Sequence, residues 1–593
     1  MKANESNFSF MQEESIIEIP FFQRAYVWEQ EQWEQLFEDL LQSFENKKEH
    51  FLGSIILKQL PSNAGEGAKR SLIDGQQRLT TFSLLIKTLY DTLNSEDKAD
   101  YAGYLFKRPT KDKKSKIRHS KIDSFAFNAI LQAKNTQDCG EFQVAKNERK
   151  SNNVKKQKEK GLISCYQYFS EKIKEVGEAK AFLDYILDSK LWVIINLEAN
   201  EDEQKIFDSI NTAGLRLTAT DIIKNALFDR AMRLQADYEK WYETYWESLF
   251  EKDEEQRNFW EQEVSTGRIR RVQSEIFLHA FAIIDGFFNP EHDTLENLSA
   301  IYKRQIQSFE DREKLESFLQ KIYKYASLYK DFPKITKESL LSYEDYESRL
   351  FAILKVTDTN TIMPLVLYLK SSLQEQGILK EALYLLEVFV TTRFLCNETT
   401  RNYSKFFPQI IKALQKTKND TFLQTLKQSL QKEGIPTIKD IKDSLISEKY
   451  YLNNKRATLV LFWIELYRRH NNQGKQDIIE LPYAYTLEHL MPQAWKKHWE
   501  EIGESEENAQ NLIYQIGNMT LLKGGLNSVI KNQSWEIKLN GDGSRKNTIK
   551  KCADLLITKE LLDIKQWDRY TIQERTDRLV KEFFAVWNID RLY

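Results

Sequence analysis

Two rhythms of hydrophobic positions run along the chain. Trp33, Leu36, Phe37, Leu40, Leu41 and Phe44 keep the i, i+3, i+4, i+7 spacing of one helix face. Short apolar runs break that rhythm. FLGSIILK (Phe51 to Lys58) reads as a buried strand, Pro61 to Gly67 as a loop, and RSLIDG (Arg70 to Gly75) as a second strand able to form a hairpin with the first. Asp74-Gly75 is a turn signal. A helix is predicted from near Gln77, with Leu79, Phe82, Leu85, Ile86 and Leu89 on its buried face. KLWVIINL (Lys190 to Leu197) is a further strand, followed by a helix over EDEQKIFDSINTAG with Gly214 as its stop. LTATDIIKNALF restarts a helix, with Thr218 and Asp221 at capping-box spacing, so Asp221 can be a cap and nothing more. From about residue 231 to 400, FLHAFAII, KLESFLQKIYKYASLY and EALYLLEVFVTTRFL all have helical periodicity and share no fixed repeat. Near the end, YTLEHLMPQAW (Tyr485 to Trp495) holds an apolar-edged strand that runs into Pro492.

Composition agrees with a helical chain. The 593 residues include 20 glycines and 10 prolines, about 5% together against roughly 12% in average usage. The apolar share of 41% is enough for a core, and with 29% charged residues of both signs it excludes wholesale disorder. The length suggests three or four units at roughly 100–200 residues each. Three are expected: 1–230, a helical connector over 231–400, and 401–593. The expected class is multidomain and predominantly α with α+β parts.

The formal net charge of −2 excludes a uniformly basic nucleic-acid coat. It conceals a basic stretch at Lys107 to Lys121 and a second cluster at Lys146 to Lys160. Such runs can hold phosphate backbones, although a solvated loop is the commoner meaning. Cys139, Cys165, Cys396 and Cys552 are scattered without a Cys-x-x-Cys pair, which argues against a zinc ribbon or disulfide scaffold and fits a reducing, cytoplasmic setting. No secretory signal and no run of about 18 apolar residues is found, so no membrane partner is expected. His50, His119, His279, His292, His470 and His498 show no metal-ligand spacing.

Two constellations carry candidate chemistry. In the first, a strand turns on Gly75 directly into a helix. The free N–H groups and the dipole of a helix start favour a phosphate. Arg78 adds a fork of donors, and Asp74 could hold a divalent metal. A capped helix with a surface arginine reads equally well. Asn211 and Lys224 are polar groups on otherwise apolar elements, available for a ligand. In the second, Glu488 and His489 stand next to Pro492, and Asn518 and Asn527 follow in IGNMTLLKGGLNSVIKNQSWEIK (Ile516 to Lys538). Singly each is ordinary: a His beside a strand is usually structural and an Asn beside Gly usually a turn. Together they suit metal-assisted phosphodiester cleavage. His489 is a base near neutral pKa, Glu488 and the Asn527 carbonyl are oxygen ligands for a hard cation, and Asn518 can orient the imidazole. Residues 488 and 489 of one strand face opposite sides, so both reach one site only if the strand ends or bends there.

IPFFQRAYVW (Ile19 to Trp28), DGQQRLTT (Asp74 to Thr81) and the segment from Phe207 to Asn225 resemble the IPxFQRxYxW, DGQQRLTT and FxxxNxxGxxLxxxDxIKN motifs of GmrSD-type (type IV) restriction endonucleases. The resemblance implies a ParB/sulfiredoxin-like N-terminal domain that binds and hydrolyses a nucleoside triphosphate, GTP or ATP. Asp74, Gly75, Gln76, Gln77 and Arg78 would form the nucleotide and metal site, Gln23 and Arg24 would line the same cleft or sense DNA, and Asn211 and Lys224 would join the nucleotide set. At the other end, EHLMP and GNMTLL…LNS…N…W…K resemble the His-Me finger (HNH) nuclease domain of the same family. Met519 and Trp535 replace the usual Leu and Phe. The interval from His489 to Asn518 exceeds that of a minimal ββα finger, which makes 495–515 an inserted helix or loop. The implied mechanism has His489 deprotonating a water and Glu488 with Asn527 holding Mg²⁺ (or Mn²⁺), with Lys523, Lys531 and Lys538 against flanking phosphates or simply in solvent.

The resemblance thus points to an NTP-regulated DNA endonuclease of bacterial anti-phage defence. Its partner would be double-stranded DNA carrying phage modifications, and self-association is left open. Two other readings stand beside it: an NTP-switched DNA-binding regulator that does not cut, and an HNH nuclease acting on RNA.

Overall fold

The computed structural model describes residues 2–12, 16–23, 25–48, 50–60, 69–107, 114–136, 138, 161–198, 218–266, 269–418, 421–448, 450–472, 479–497, 505–524, 530, 532–542 and 548–593. The protein is predominantly helical and divides into two compact units, Met1–Met232 and Arg233–Tyr593. Among the described residues, no helix is long and apolar enough to cross a membrane.

The first unit is built on a mixed six-stranded sheet. Its strands are β1 (Lys2–Ser6), β2 (Ile16–Glu18), β3 (Gly53–Leu60), β4 (Lys69–Asp74), β5 (Ile117–Arg118) and β6 (Trp192–Leu197), in the order β1-β6-β3-β4-β2-β5. The predicted hairpin is present: β3 and β4 pair antiparallel, with a bulge between Ile56 and Leu57. Parallel pairing of β3 with β6 and of β4 with β2 makes the interior strands apolar on both faces, as in Ile55, Ile56 and Leu57. Helix α1 (Gln30–Asn46) turns Trp33, Leu36, Phe37 and Leu40 inward, as their spacing predicts.

Helix α2 (Gln76–Thr92) starts at Gly75, whose φ of 97° lies in the left-handed region that a Cβ disfavours. Unlike an ordinary amphipathic helix it is buried from Gln76 through Leu89 with one break at Arg78. Two of its inward hydroxyls, Thr81 and Ser83, donate to the carbonyls four residues back, at 2.8 and 2.7 Å. Phe82 then packs on Phe8 and Trp192, at 4.7 and 5.1 Å between centroids. The basic stretch is not all solvated loop. Its end enters the sheet as β5, with Lys116, Ile117 and His119 buried, whereas the cluster at 146–160 lies outside the described residues. Helix α3 (Leu162–Lys172) packs on α2, and helix α4 (Ala219–Arg233) closes the unit. Ahead of α4, Thr218 and Asp221 exchange the capping hydrogen bonds that their spacing predicts.

The second unit is a stack of helices around a short β-ribbon. The three periodic segments of the middle are helices α5 (Gln273–Asp285), α6 (Arg312–Lys330) and α8 (Gln376–Leu395), with α7 (Tyr346–Thr357) between the last two. Helix α9 (Asn454–Asn471) precedes strands β7 (Thr486–His489) and β8 (Met519–Leu522), helix α10 (Trp535–Asn540) and helix α11 (Arg569–Val586). One buried network joins α7, α8 and the end of α11. The Arg349 Nε donates to Glu387 at 2.8 Å, and the Trp587 indole donates to the same carboxylate at 2.6 Å. The other end of α11 holds the ribbon. Buried Arg575 donates to the carbonyls of Gly517 and Met519, each at 2.6 Å, and pairs with Glu560. A Cβ on Gly517 would lie 2.4 Å from the Ile572 carbonyl oxygen, so this glycine is required by the closeness of α11.

Candidate active site

At the helix start of the first unit, the motif side chains mostly hold one another. Gln77 accepts from the Val27 N–H at 2.9 Å and donates to the Ala25 carbonyl at 3.4 Å, tying down the segment that follows Gln23. Gln23 donates to the Leu72 carbonyl at 3.2 Å. Tyr26 is buried, its hydroxyl shared with Thr81 at 2.5 Å and accepting from the Trp33 indole at 2.9 Å. Gln76 is buried as well. Asp74 and Arg78 form an ion pair at 3.2 Å across the first turn, with the guanidinium lying against Gly53 of β3. Arg78 keeps about a quarter of its side chain exposed (24%), whereas Lys224 is buried. Lys224 lies on α4, 3.9 Å from Asp221. Arg24 and Asn211 lie outside the described residues.

Sequence reading gave no role to His119, yet it belongs to the same polar interior. It meets Thr80 at 2.9 Å and Asp123 at 3.6 Å. Burial holds its imidazole down to about 3, so the Asp123 contact involves a neutral ring.

In the second unit, β7 and β8 pair antiparallel, with Glu488 opposite Thr520 and His489 opposite Met519. The strand does end at His489. There Leu490 N–H donates to the Asn518 carbonyl at 2.9 Å. The two neighbours nevertheless meet different surroundings. The Glu488 carboxylate accepts from the Lys538 ammonium of α10. The His489 ring stands edge-on to Tyr514, 5.8 Å between centroids, and Tyr514 stacks on Tyr451 at 4.4 Å. The buried Nε2 of His489 has no hydrogen-bond partner. Burial first, and the nearby Lys538 charge second, lower this imidazole to about 4, so it is neutral at physiological pH. Burial also raises the Glu488 carboxyl and lowers the Lys538 ammonium, while their mutual attraction opposes both shifts.

Two sequence expectations change here. Asn518 does not orient the imidazole. Its side-chain oxygen accepts from Met491 N–H (2.8 Å) and the Trp567 indole (3.0 Å), and its nitrogen donates to the carbonyls of Met491 (2.9 Å) and Ile513 (3.0 Å). An amide offers two donors and one two-lone-pair acceptor, so this one is fully committed. It fixes the turn that follows His489. Lys538, expected against phosphate, is fully buried (0% exposed) and donates to the His489 carbonyl at 2.7 Å as well as to Glu488. The signal was present in the spacing, since Lys538 follows Trp535 by three residues and shares its inward face. Trp535 itself stacks on Trp567 at 4.9 Å. Tyr514 was missed entirely, because nothing in its neighbourhood marks it.

Lys523 is on the surface with 70% of its side chain exposed, paired with Asp554 at 2.9 Å. Asn527 and Lys531 lie outside the described residues. The interval 495–515 contains a helical turn at Trp495–Lys497 and a helix at Glu506–Tyr514.

Among the described residues, no group of three or more His, Cys, Asp or Glu side chains gathers as a metal site. At the end of β7 the oxygen donor of the type a hard cation takes is the Glu488 carboxylate. The Glu488 carboxylate keeps lone pairs beyond the one given to Lys538, and the next residue, His489, carries the unengaged Nε2.

Residues 7–228 match the family "GmrSD restriction endonuclease, N-terminal domain", and residues 435–582 match "GmrSD restriction endonucleases, C-terminal domain". The chain is also similar to the uncharacterized protein MJ0686 of Methanocaldococcus jannaschii, 25% identical over 268 residues. That stretch covers 39% of this chain and 42% of the relative, so the chain spans less than half of the curated relative's length.

Proposed function

Because the chain belongs to the GmrSD restriction endonuclease family, we propose that it is a DNA endonuclease of phage defence that cuts at the hairpin end formed by His489. The observation that carries this reading is the buried, unpartnered Nε2 of a neutral imidazole at a strand end. Such a group costs desolvation and returns no hydrogen bond, which makes its nitrogen a candidate for work on a substrate. Here His489 Nε2 takes a proton from water, and the hydroxide formed attacks phosphorus in line with the departing oxygen. Asn518 and Arg575 hold the turn and β8 behind it. A divalent cation, Mg²⁺ or Mn²⁺, held by Glu488 and Asn527 would stabilise the charge on the departing oxygen. This is the chemistry of a His-Me finger, and β7, β8 and α10 are read as its ββα elements.

The first unit is read as the ParB/sulfiredoxin-like partner domain that binds and hydrolyses a nucleoside triphosphate. Support comes from the start of α2, which opens at Gly75 without a side-chain cap and whose first turn carries the partly exposed Arg78. DNA bearing phage modifications is the proposed substrate, with nucleotide state controlling cleavage.

The decisive experiment is His489→Ala in the full chain. Cleavage of modified DNA is expected to fall at least about 10²–10⁴-fold, the usual contribution of a general base, while triphosphate hydrolysis continues. Wild-type cleavage by this variant would remove His489 from the chemistry.

A further inference from the structure

Lys538 is the feature of the second unit that the proposed chemistry leaves without a task. Lysine is among the side chains least often fully buried, and a buried charge is tolerated when it is paired. Here the ammonium has two partners, the Glu488 carboxylate and, at 2.7 Å, the His489 carbonyl. These belong to consecutive residues whose side chains leave the strand on opposite sides. A single cation therefore fixes the side chain of one and the main chain of the other. Helix α10 is itself anchored. Trp535 stacks on Trp567, and its indole donates to the Ile564 carbonyl at 3.0 Å. With none of its surface exposed, the ammonium cannot reach a DNA phosphate without leaving both partners.

We infer that Lys538 is a positioning residue of the cleavage centre, holding the Glu488 carboxylate and the His489 main chain in register for phosphodiester hydrolysis. The inference rests on the reading of His489 as the base. Carboxylates that bind a cation are held by hydrogen bonds from behind, and loss of such a partner typically costs about 10–100-fold in affinity or activity. A phosphate clamp behaves differently: its loss weakens DNA binding and lowers the salt dependence by roughly one counterion.

The test uses Lys538→Met in the full chain, with three readouts: the single-turnover cleavage rate constant, the DNA dissociation constant across a salt series, and a thermal melt. The single-turnover constant does not depend on the fraction of active enzyme, so partial misfolding does not move it. It is expected to fall about 10–100-fold with DNA affinity and salt slope unchanged. A wild-type rate constant overturns the inference, as does weakened binding with a shallower salt slope at an unchanged rate. If Lys538→Met does not fold, the uncharged Lys538→Gln is read the same way: a slowed step at unchanged affinity supports the inference and a wild-type rate overturns it. His489→Ala runs alongside. Cleavage by that variant removes the underlying reading, whereas an inert His489→Ala beside a fully active Lys538→Met removes only the role of Lys538.

Discussion

The two motif-bearing regions use polar residues in opposite ways. At the start of α2, the Gln77 amide, the Gln23 amide and the Asp74–Arg78 pair are engaged with the protein itself. At the end of β7, one imidazole nitrogen is buried without a partner. Both regions look alike in sequence: a strand, a turn and a cluster of polar residues. The first fixes a backbone, and its Arg78 keeps about a quarter of its side chain exposed (24%). The second buries an imidazole among residues that keep it neutral. A motif residue, then, is as often the support of a site as its reacting group.

The strongest way to break this comparison lies at Asn518, a support inside the second region. Asn518→Ala would leave the Met491 N–H and the Trp567 indole buried without an acceptor, and two carbonyls without a donor. Each orphaned group costs about 1–3 kcal/mol, so urea denaturation is expected to show a loss of several kcal/mol. A variant within about 1 kcal/mol of wild type that still fails to cut would return Asn518 to a direct role in the reaction.

The next test stays in the first region. Gln77→Ala orphans the Val27 N–H, which should cost about 1–3 kcal/mol of stability, with triphosphate affinity nearly unchanged. Arg78→Ala should do the reverse. Its ion pair is partly exposed and worth about 0–1 kcal/mol, so melting should hardly move while triphosphate binding or hydrolysis weakens. Equal losses of nucleotide binding in both variants would make Gln77 a ligand-contacting residue and erase the contrast.

The elements were legible to different depths. Periodicity located α1, α2, α5, α6 and α8, the β3–β4 hairpin and the Thr218–Asp221 cap, because each rests on local spacing. The order of strands in the sheet was not legible, since pairing of β1 with β6 joins residues almost the whole unit apart. The strand end at His489, which the sequence reading required if Glu488 and His489 were to share a site, is present. The partners of Asn518 and Lys538 were not legible, because Trp567 and Ile513 reach the amide through the packing of separate segments. Gly517 teaches the same lesson. A scarce glycine near a site suggests a backbone that turns or approaches a phosphate, and here it also admits the α11 backbone.

The smallest expected effect is a flat line, and it sharpens the comparison most finely. The imidazole of His489 is lowered to about 4 in the folded chain, against an ordinary value of 6.5. For a histidine depressed in this way, the unfolded chain takes up the proton first. Stability is therefore whole above pH 6.5, and this group erodes it as the pH falls towards 4. His119, at about 3, and His279, at about 4, erode it over the same range, so a melt alone cannot isolate His489. The rate can. The free enzyme's base sets the acid limb of kcat/KM, and at pH 6 a base of this strength is only about 1% protonated. The profile of kcat/KM should therefore show no acid limb between pH 6 and 8 from this residue. An inflection between 6 and 7 would mean that an imidazole of ordinary basicity does the work, and that the burial of His489 is structural, like that of His119.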